Sequence, residues 1–397
     1  MQSSHFSSSQ KRVYLDHNAT TAPSPLLKQR WPELIDLSGN PSSIHQDARL
    51  PRAVMREARQ KISKILGCSA IEINFNSGAS EGNSTIFQSV FELAKEDRNE
   101  FIVSSVEHPC VMKVSEYLKQ KGAVVHSIPV SREGRLDLEF VKRKLSSKTA
   151  LVSVMYANNE TGTVFPIREV ADLAHASGAL MHSDCVQLFG KAVCNFNELH
   201  LDYATFSAHK FYGLKGTGFC YIKNSSPWQP LIFGSQERNR RGGTENVLGI
   251  AALNIVLDEM VDVGEKINQM QTLRDYFETE VQKKISGVRV TASESLRLAN
   301  TSSLLIEDID GETLLMSLDL KGFSVSTGAA CSSGSPEPSP VLLAMGITAA
   351  EAQSSLRVSL GWSTTREQID AFLSVLTEVV LKLRFLHAEE KKKVHIG

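Results

Sequence analysis

The sequence predicts an α/β fold with a large domain built on a mostly parallel sheet covered by helices, and a smaller α+β domain. In the first two thirds of the chain, short apolar runs alternate with amphipathic stretches, a pattern typical of βαβ units. After about Asn246 the pattern changes to a long helical stretch followed by short strands and further helices. The length of 397 residues also exceeds what one hydrophobic core usually holds, which favours two domains.

The predicted elements follow from the spacing of apolar residues. Short apolar runs bounded by polar residues or glycine predict strands at 71–75, 101–105, 150–156, 179–182 and 201–206. Amphipathic stretches predict helices at 52–66, 111–121 and 167–176. A helical stretch at 247–285, with a break near Gly264, precedes strands at 288–292 and 301–307 and helices at 311–320 and 366–386. We expect a disordered tail at 1–12, the large domain at 13–262 and the small domain at 263–397.

Composition narrows the class of protein. A hydrophobic content of 42%, a charged content of 22% and a net charge of −1 give no electrostatic reason to expect nucleic acid or an anionic membrane as a partner. No apolar run reaches the roughly 18–20 residues that span a bilayer, and the serine-rich start lacks the apolar region of a secretory signal. We therefore expect a cytoplasmic protein with reduced thiols. The six cysteines show no zinc-binding spacing, so we expect no metal site.

Lys210 and Asp184 form the first candidate pair. Lys210 follows the strand predicted at 201–206, where burial would lower the pKa of its amine and make it nucleophilic. Asp184 ends the preceding predicted strand. Pyridoxal phosphate needs an amine for its aldehyde and a carboxylate to keep its ring nitrogen protonated, so the pair indicates this cofactor. Taken singly, Asp184 is also a good helix N-cap, and Lys210 is also explained as a surface lysine.

Two stretches could hold the phosphate of such a cofactor. Residues 76–81 (NSGASE) lie between the strand predicted at 71–75 and a helix, and a helix N-terminus offers free N–H groups and the positive end of its dipole. Ser207 and His209, beside Lys210, could also donate to an anion. Thr244 follows an arginine-rich stretch at 236–241 and could supply another hydroxyl, although those arginines are equally explained as a solvated face or a subunit contact.

Cys331 lies in the run 326–338 (STGAACSSGSPEP), where small residues surround it. A thiol in a mobile loop can reach a target, and a nearby cation would favour its thiolate. The alternative is an incidental loop cysteine. For the other cysteines we expect mostly small, buried core residues; they are Cys68, Cys110, Cys185, Cys194 and Cys220.

Arg357 and His108 complete the set of candidate residues. Arg357 lies in an alternating, strand-like run at 355–360, and arginine is well suited to clamp a substrate carboxylate with two hydrogen bonds. His108 begins a helix after a strand, where it could stack on an aromatic ring and exchange protons near neutral pH. A lone histidine at this position is also explained by capping or packing.

Together these residues resemble the cysteine desulfurases, which belong to the class V aminotransferases among the fold-type I pyridoxal phosphate enzymes. The resemblance covers nearly the whole chain. It is carried by the runs 14–21 (YLDHNATT), 39–43 (GNPSS), 157–162 (ANNETG), 207–210 (SAHK), 241–244 (RGGT) and 360–365 (LGWSTT).

The resemblance implies a role for each candidate residue. It implies that Lys210 is the Schiff-base lysine, that His108 stacks on the cofactor ring and exchanges protons, and that Cys331 accepts the sulfur. Arg357, with Asn158, would bind the substrate carboxylate. Residues near the N-terminus would pack with the small domain. The residues implied to bind the cofactor are Ala79, Ser80, Asn158, Asp184, Gln187, Ser207, His209 and Lys210, joined by Thr244 from the partner subunit of a homodimer. Among them, Gln187 and Asn158 are implied to lie near the ring oxygen of the cofactor.

The implied reaction converts L-cysteine to L-alanine and leaves a persulfide on Cys331, whose sulfur passes to an acceptor protein for iron–sulfur clusters, tRNA or thio-cofactors. The alternatives are a selenocysteine lyase, a transaminase or kynureninase-like hydrolase, and a non-catalytic sulfur-assembly scaffold. Two features depart from the family pattern. Ser80 stands where threonine is usual, and the chain after Arg384 does not resemble the segment that docks an iron–sulfur scaffold in some relatives.

Overall fold

The computed structural model describes residues 12–94, 97–260, 263–328 and 337–394. The strands in these ranges are β1 (Val13–Tyr14), β2 (Ile73–Asn76), β3 (Glu100–Ser104), β4 (Val124–Ile128), β5 (Thr149–Ser153), β6 (Leu180–Asp184), β7 (Tyr203–Ser207), β8 (Gly218–Ile222), β9 (Val288–Val290), β10 (Thr301–Ile306), β11 (Phe323–Ser324) and β12 (Ser355–Ser359). The helices are α1 (Pro25–Ile35), α2 (Arg49–Leu66), α3 (Ala79–Leu93), α4 (Pro109–Gln120), α5 (Leu138–Lys144), α6 (Ile167–Ala176), α7 (Gln236–Asn239, a single turn), α8 (Val247–Asp258), α9 (Val263–Lys284), α10 (Gly311–Leu320), α11 (Pro340–Ala344), α12 (Ala349–Gln353) and α13 (Arg366–Val394).

Within the described ranges, the largest sheet has seven strands in the order β2-β8-β7-β6-β5-β3-β4. The strands from β7 through β6, β5 and β3 to β4 are parallel to one another, whereas β8 is antiparallel to both of its neighbours. The link 208–217 between β7 and β8 is too short for the crossover that a parallel neighbour requires, so β8 turns back. The prediction of a mostly parallel sheet is confirmed.

Helices cover both faces of this sheet because side chains alternate along each strand. Along β3, Phe101 and Val103 pack in one apolar cluster and Ile102 packs in another. The cluster of Phe101 includes residues of α3 and α4, and the cluster of Ile102 includes residues of α2, α6 and α8. The sheet is therefore a buried layer between two layers of helices.

The C-terminal part of the chain has a core of its own. Strands β12, β10 and β9 form an antiparallel sheet, and Phe277 of α9 and Phe372 of α13 pack in its apolar cluster. Leu15 belongs to the same cluster, and β1 pairs in parallel with β11. Residues near the N-terminus thus pack with the C-terminal core. The proposed division at residues 262 and 263 stays a prediction.

Most of the helices and strands predicted from the sequence are present in the structure, but many begin or end at different residues. Helices predicted at 167–176 and 311–320 have the bounds of α6 and α10, whereas α13 continues eight residues beyond the predicted end at 386, to Val394, through a run of good helix formers. The helix break predicted near Gly264 lies between the end of α8 at Asp258 and the start of α9 at Val263. The predicted tail lies outside the described residues except for Arg12. None of the described helices is both long and apolar enough to cross a membrane.

Candidate active site

A cavity of about 250 Å³ lies at the carboxyl edge of the parallel strands, the edge at which ligands bind in sheets of this type. Its lining contains six ionisable side chains, those of His108, Cys110, Asp184, His209, Lys210 and Arg357. Nine of the residues predicted from the sequence line it; they are Ala79, Ser80, His108, Asp184, Gln187, Ser207, His209, Lys210 and Arg357.

Lys210 enters the cavity from the end of β7. The strand ends at Ser207 and one turn of 3-10 helix, Ala208–Lys210, follows it. The Lys210 Nζ atom donates to the carbonyl oxygens of Asn18 at 2.9 Å and Ala19 at 2.8 Å. Two carbonyl dipoles therefore hold the amine in the cavity, and both belong to the N-terminal segment of the chain.

Asp184 is the last residue of β6, the parallel neighbour of β7. Its side chain is buried and accepts hydrogen bonds from Asn83 Nδ2 at 2.8 Å and from the Val186 amide at 3.0 Å. Thr205 Oγ1 donates to Asn83 Oδ1 at 2.7 Å, which fixes the orientation of the Asn83 amide. Two neutral donors thus fix the carboxylate.

His108 caps the N-terminus of α4. Its Nδ1 atom accepts from the Cys110 amide at 3.2 Å and lies 3.0 Å from Cys110 Sγ. Because a backbone N–H can only donate, the proton of the neutral ring lies on Nε2. Burial lowers the pKa of His108, the carboxylate of Asp184 raises it, and the nearby Lys210 lowers it further. The ring is therefore a neutral imidazole with an N–H donor on its second nitrogen.

The N-terminus of α3 forms a cradle for an anion. The helix begins at Ala79, whose amide donates to Ser207 Oγ at 2.8 Å. Gly78, just before it, has a φ of +144°, and a Cβ atom there would lie 3.2 Å from Ser207 Oγ, so glycine suits the turn. Ser80 and His209 also line the cavity. Free amides and hydroxyls at a helix N-terminus are typical of phosphate sites.

Arg357 of β12 is only 2% exposed. Its Nη2 atom donates to Asp16 Oδ1 at 2.8 Å, and its Nη1 atom donates to the Asn159 carbonyl at 3.1 Å. The third nitrogen of the guanidinium, Nε, is buried and has no hydrogen-bond partner among the described residues. Buried polar groups are nearly always paired, so Arg357, which lines the cavity, has an unpaired donor of the kind that binds carboxylates.

The structure differs from the prediction at Asn158. Its side chain is buried, accepts from the amides of Glu160 at 2.8 Å and Thr161 at 3.0 Å, and donates to the Val106 carbonyl at 3.1 Å. These bonds fix the turn and use both ends of the amide, and Asn158 does not line the cavity. Its neighbour Asn159 does line the cavity, so the contacts predicted for Asn158 stay a prediction and Asn159 is a second candidate for them.

Two other predicted residues are not among the described residues that line this cavity. Thr244 is exposed and does not line it. Cys331 lies outside the described residues. On its N-terminal side, Ser326 and Arg357 exchange backbone hydrogen bonds of 3.1 and 2.7 Å, so the described chain that leads to Cys331 passes directly beside Arg357.

Sequence reasoning missed several residues of the site. Asn18, Cys110 and Asn159 line the cavity, and Asn83 orients Asp184. The run YLDHNATT contains Asn18 and contributed to the family resemblance, which was a signal that the N-terminal segment reaches the site. No comparable signal marked Asn83, which lies in the middle of a helix.

Comparisons with known proteins agree with this arrangement. Residues 13–372 match the protein family described as Aminotransferase class-V. The chain is 41% identical to a cysteine desulfurase of Cereibacter sphaeroides, over 96% of this chain and 100% of that protein. It is also 41% identical to the cysteine desulfurase IscS of Dictyoglomus turgidum, over 94% of this chain and 96% of that protein. The solved structure of a NifS-like protein matches with a TM-score of 0.88 at 35% identity, covering 94% of this chain and 100% of that one.

The chain belongs to the aminotransferase class-V family and, within it, to the cysteine desulfurases. The family predicted from the sequence is confirmed, and so is the predicted fold class.

Proposed function

We propose that this protein is a cysteine desulfurase that holds pyridoxal phosphate on Lys210 and transfers the sulfur of L-cysteine to Cys331. The observation that carries the proposal is the convergence of Lys210, Asp184, His108 and Arg357 on one cavity at the carboxyl edge of the sheet. An amine, a carboxylate, an imidazole and a guanidinium with an unpaired buried donor are the groups that this chemistry requires.

The cavity fits the cofactor in three respects. Asp184 offers a fixed carboxylate to a ring nitrogen, Lys210 offers an amine to an aldehyde, and the N-terminus of α3 with Ser207 offers donors to a phosphate. When bound, pyridoxal phosphate supplies an aldehyde that joins the substrate amine and a ring that accepts electrons from it. The exposed position of Thr244 is compatible with a homodimer in which the partner subunit's Thr244 completes the phosphate site.

Arg357 is the proposed anchor of the substrate carboxylate. Its Nε atom is the unpaired donor, while the Asn159 carbonyl and Asp16 accept hydrogen bonds from its two Nη atoms. Asn159 faces the same cavity, so its side-chain amide is the second proposed donor in place of Asn158. This placement orients cysteine with its amine towards Lys210.

The proposed chemistry needs proton transfers and one sulfur transfer. With the cofactor bound, Lys210 would remove the Cα proton of the substrate, and the neutral His108 would exchange a proton through Nε2. The thiolate of Cys331 then attacks the substrate sulfur. An S–S bond forms, the Cβ–S bond breaks, and its electron pair stays on Cβ, which is protonated to give alanine. The persulfide on Cys331 afterwards passes its outer sulfur to an acceptor protein.

Replacement of the thiol tests the proposal. Cys331→Ser should abolish sulfide release from cysteine in the presence of a reductant, while the absorption of the bound cofactor stays unchanged. Cys68→Ser is the matched control, because Cys68 is a half-buried thiol that packs at the edge of the core and does not line the cavity. Sulfide release by Cys331→Ser at the wild-type rate would refute the role of Cys331.

The comparisons favour cysteine as the substrate over selenocysteine, because both curated relatives described above carry the name cysteine desulfurase. Rates measured with cysteine and with selenocysteine would separate the two activities. A colourless protein that does not take up pyridoxal phosphate would instead support the non-catalytic scaffold.

A further inference from the structure

Lys191 is a second lysine amine near the cavity, and it is buried more deeply than Lys210. It follows β6 by seven residues, and the residue is only 4% exposed. Its Nζ atom donates to Asn18 Oδ1 at 3.1 Å and to Gln187 Oε1 in a shorter contact. None of the ion pairs among the described residues includes Lys191.

The surroundings of Lys191 oppose a positive charge. Burial holds the pKa of Lys191 well below its usual range, the cations of Lys210 and Arg357 lower it further, and the carboxylate of Asp16 opposes them. An amine carries at least two hydrogens in either charge state, and the two amide oxygens accept two of them. A buried amine costs free energy that an apolar side chain of similar length avoids. We therefore attribute the buried position of the Lys191 amine to its two hydrogen bonds, to Asn18 and Gln187.

The hydrogen bonds of Lys191 fix the orientation of the Gln187 amide. At one end, Gln187 Oε1 accepts from Lys191, and at the other end Gln187 Nε2 donates to the Asn18 carbonyl oxygen at 3.2 Å. A carbonyl oxygen only accepts, so the amide cannot be turned over without losing both bonds. Gln187 lines the cavity, and its Nε2 atom has a second hydrogen for a ligand there.

The Asn18 amide is fixed in a similar way. Its Oδ1 atom accepts from Lys191 and, at 3.1 Å, from Asn300 Nδ2. Its Nδ2 atom donates to the Asn159 carbonyl at 3.0 Å and to Thr301 Oγ1 at 2.8 Å. Four hydrogen bonds, one of them from Lys191, thus fix the Asn18 side chain. Because Asn18 is fixed, it holds the Lys191 amine in place beside Gln187.

We propose that Lys191 is a positioning residue that keeps the Gln187 side chain turned with its N–H donor towards the ring oxygen of the cofactor. The inference rests on the proposed function. A donor on this oxygen stabilises its negative charge and weakens its hold on the proton that it shares with the lysine nitrogen of the bound cofactor. Lys191 thereby sets the pH at which the bound cofactor titrates, although it does not touch the cofactor.

The test is a spectral titration of the cofactor-loaded protein. Lys191→Met removes both hydrogen bonds, and we expect the midpoint of the cofactor's absorbance change to rise by up to about one pH unit, which corresponds to one hydrogen bond of about 1.4 kcal/mol. Gln187→Met should raise the midpoint to a similar value. In the double variant, the second substitution should add nothing, because the two residues act through one hydrogen bond to the ring.

Two further variants separate positioning from a general loss of packing. Lys191→Arg keeps N–H donors and adds a fixed positive charge, so its midpoint should not rise above that of the wild type, whereas Lys223→Met removes a half-exposed lysine that pairs with Asp202 outside the cavity and should leave the midpoint unchanged. Thermal melting of each loaded variant shows that it is folded.

The inference is overturned if folded Lys191→Met titrates like the wild type, if Lys191→Arg shifts as far as Lys191→Met, or if the shifts of Lys191→Met and Gln187→Met simply add. These outcomes differ from a failure of the proposed function. In that case, the wild type itself would not acquire the absorption of the cofactor.

Discussion

Arg357 provides a quantitative test of how the cavity selects its substrate. In Arg357→Ala, the unpaired Nε donor is lost together with the Nη donors to Asp16 and Asn159. A hydrogen bond to a charged group contributes about 1.5–3 kcal/mol, so we expect kcat/KM for cysteine to fall about tenfold to a hundredfold. Lys210 and Asp184 keep their own partners, so the cofactor should remain bound.

The assay compares cysteine with cysteinamide, which has the same amine and thiol but no carboxylate. The wild type should prefer cysteine. Arg357→Ala should lose most of this preference, because the carboxylate is the substrate group that we propose Arg357 binds. Arg357→Lys keeps the charge without the planar set of donors, so we expect it to recover only part of the preference. Alanine formation measured at a series of substrate concentrations gives both values of kcat/KM.

Asp16→Asn is the matched control for Arg357. It removes the charge that holds the guanidinium at 2.8 Å but leaves Arg357 in place, so the preference for cysteine should persist in weakened form. If Arg357→Ala reduced kcat/KM for cysteine and cysteinamide by the same factor, Arg357 would not bind the substrate carboxylate.

Three further predictions follow from buried polar groups. Asp184→Asn should lower turnover by about a hundredfold, since a charge-assisted hydrogen bond to the ring is lost, and wild-type turnover of the loaded variant would contradict this. Burial raises the pKa of Glu107 well above 4.5, and Asp184 raises it further; the folded state therefore keeps a proton that the unfolded chain releases, and stability falls as pH rises from about 5 towards the folded-state pKa. Glu107→Gln should flatten that fall in melting temperature, and an unchanged slope would refute the assignment. Ser339→Ala removes the N-cap of α11 and the donor to buried Glu160, so urea unfolding should show a loss of about 1–3 kcal/mol, whereas stability equal to that of the wild type would contradict the cap.

The sequence predicted the sheet and the proximity of Asp184 and Lys210 because both depend on local patterns. The apolar runs that became β6 and β7 end at Asp184 and Ser207, and the carboxyl ends of parallel neighbours lie at one edge. Asp184 and Lys210 therefore had to come close together once the strands were recognised. The antiparallel direction of β8 could not be predicted from local patterns, because it depends on the pairing of β8 with both β7 and β2.

The choice between Asn158 and Asn159 could not be made from the sequence. Both are asparagines in the same turn, and only the three-dimensional path decides which side chain bonds to the turn's own amides and which faces the cavity. Lys191 and Asn18 escaped notice for a related reason. Their hydrogen bond joins residues 173 positions apart, and no local periodicity reports such a contact.

The position of the cofactor on the chain is the central claim, and one measurement tests it directly. The purified protein is loaded with pyridoxal phosphate, reduced with borohydride to make the bond between amine and cofactor permanent, and digested for mass spectrometry. We predict that the added mass lies on the peptide that contains Lys210, whose amine lies in the cavity. Cofactor attached to Lys191 instead, or to no lysine at all, would contradict the account.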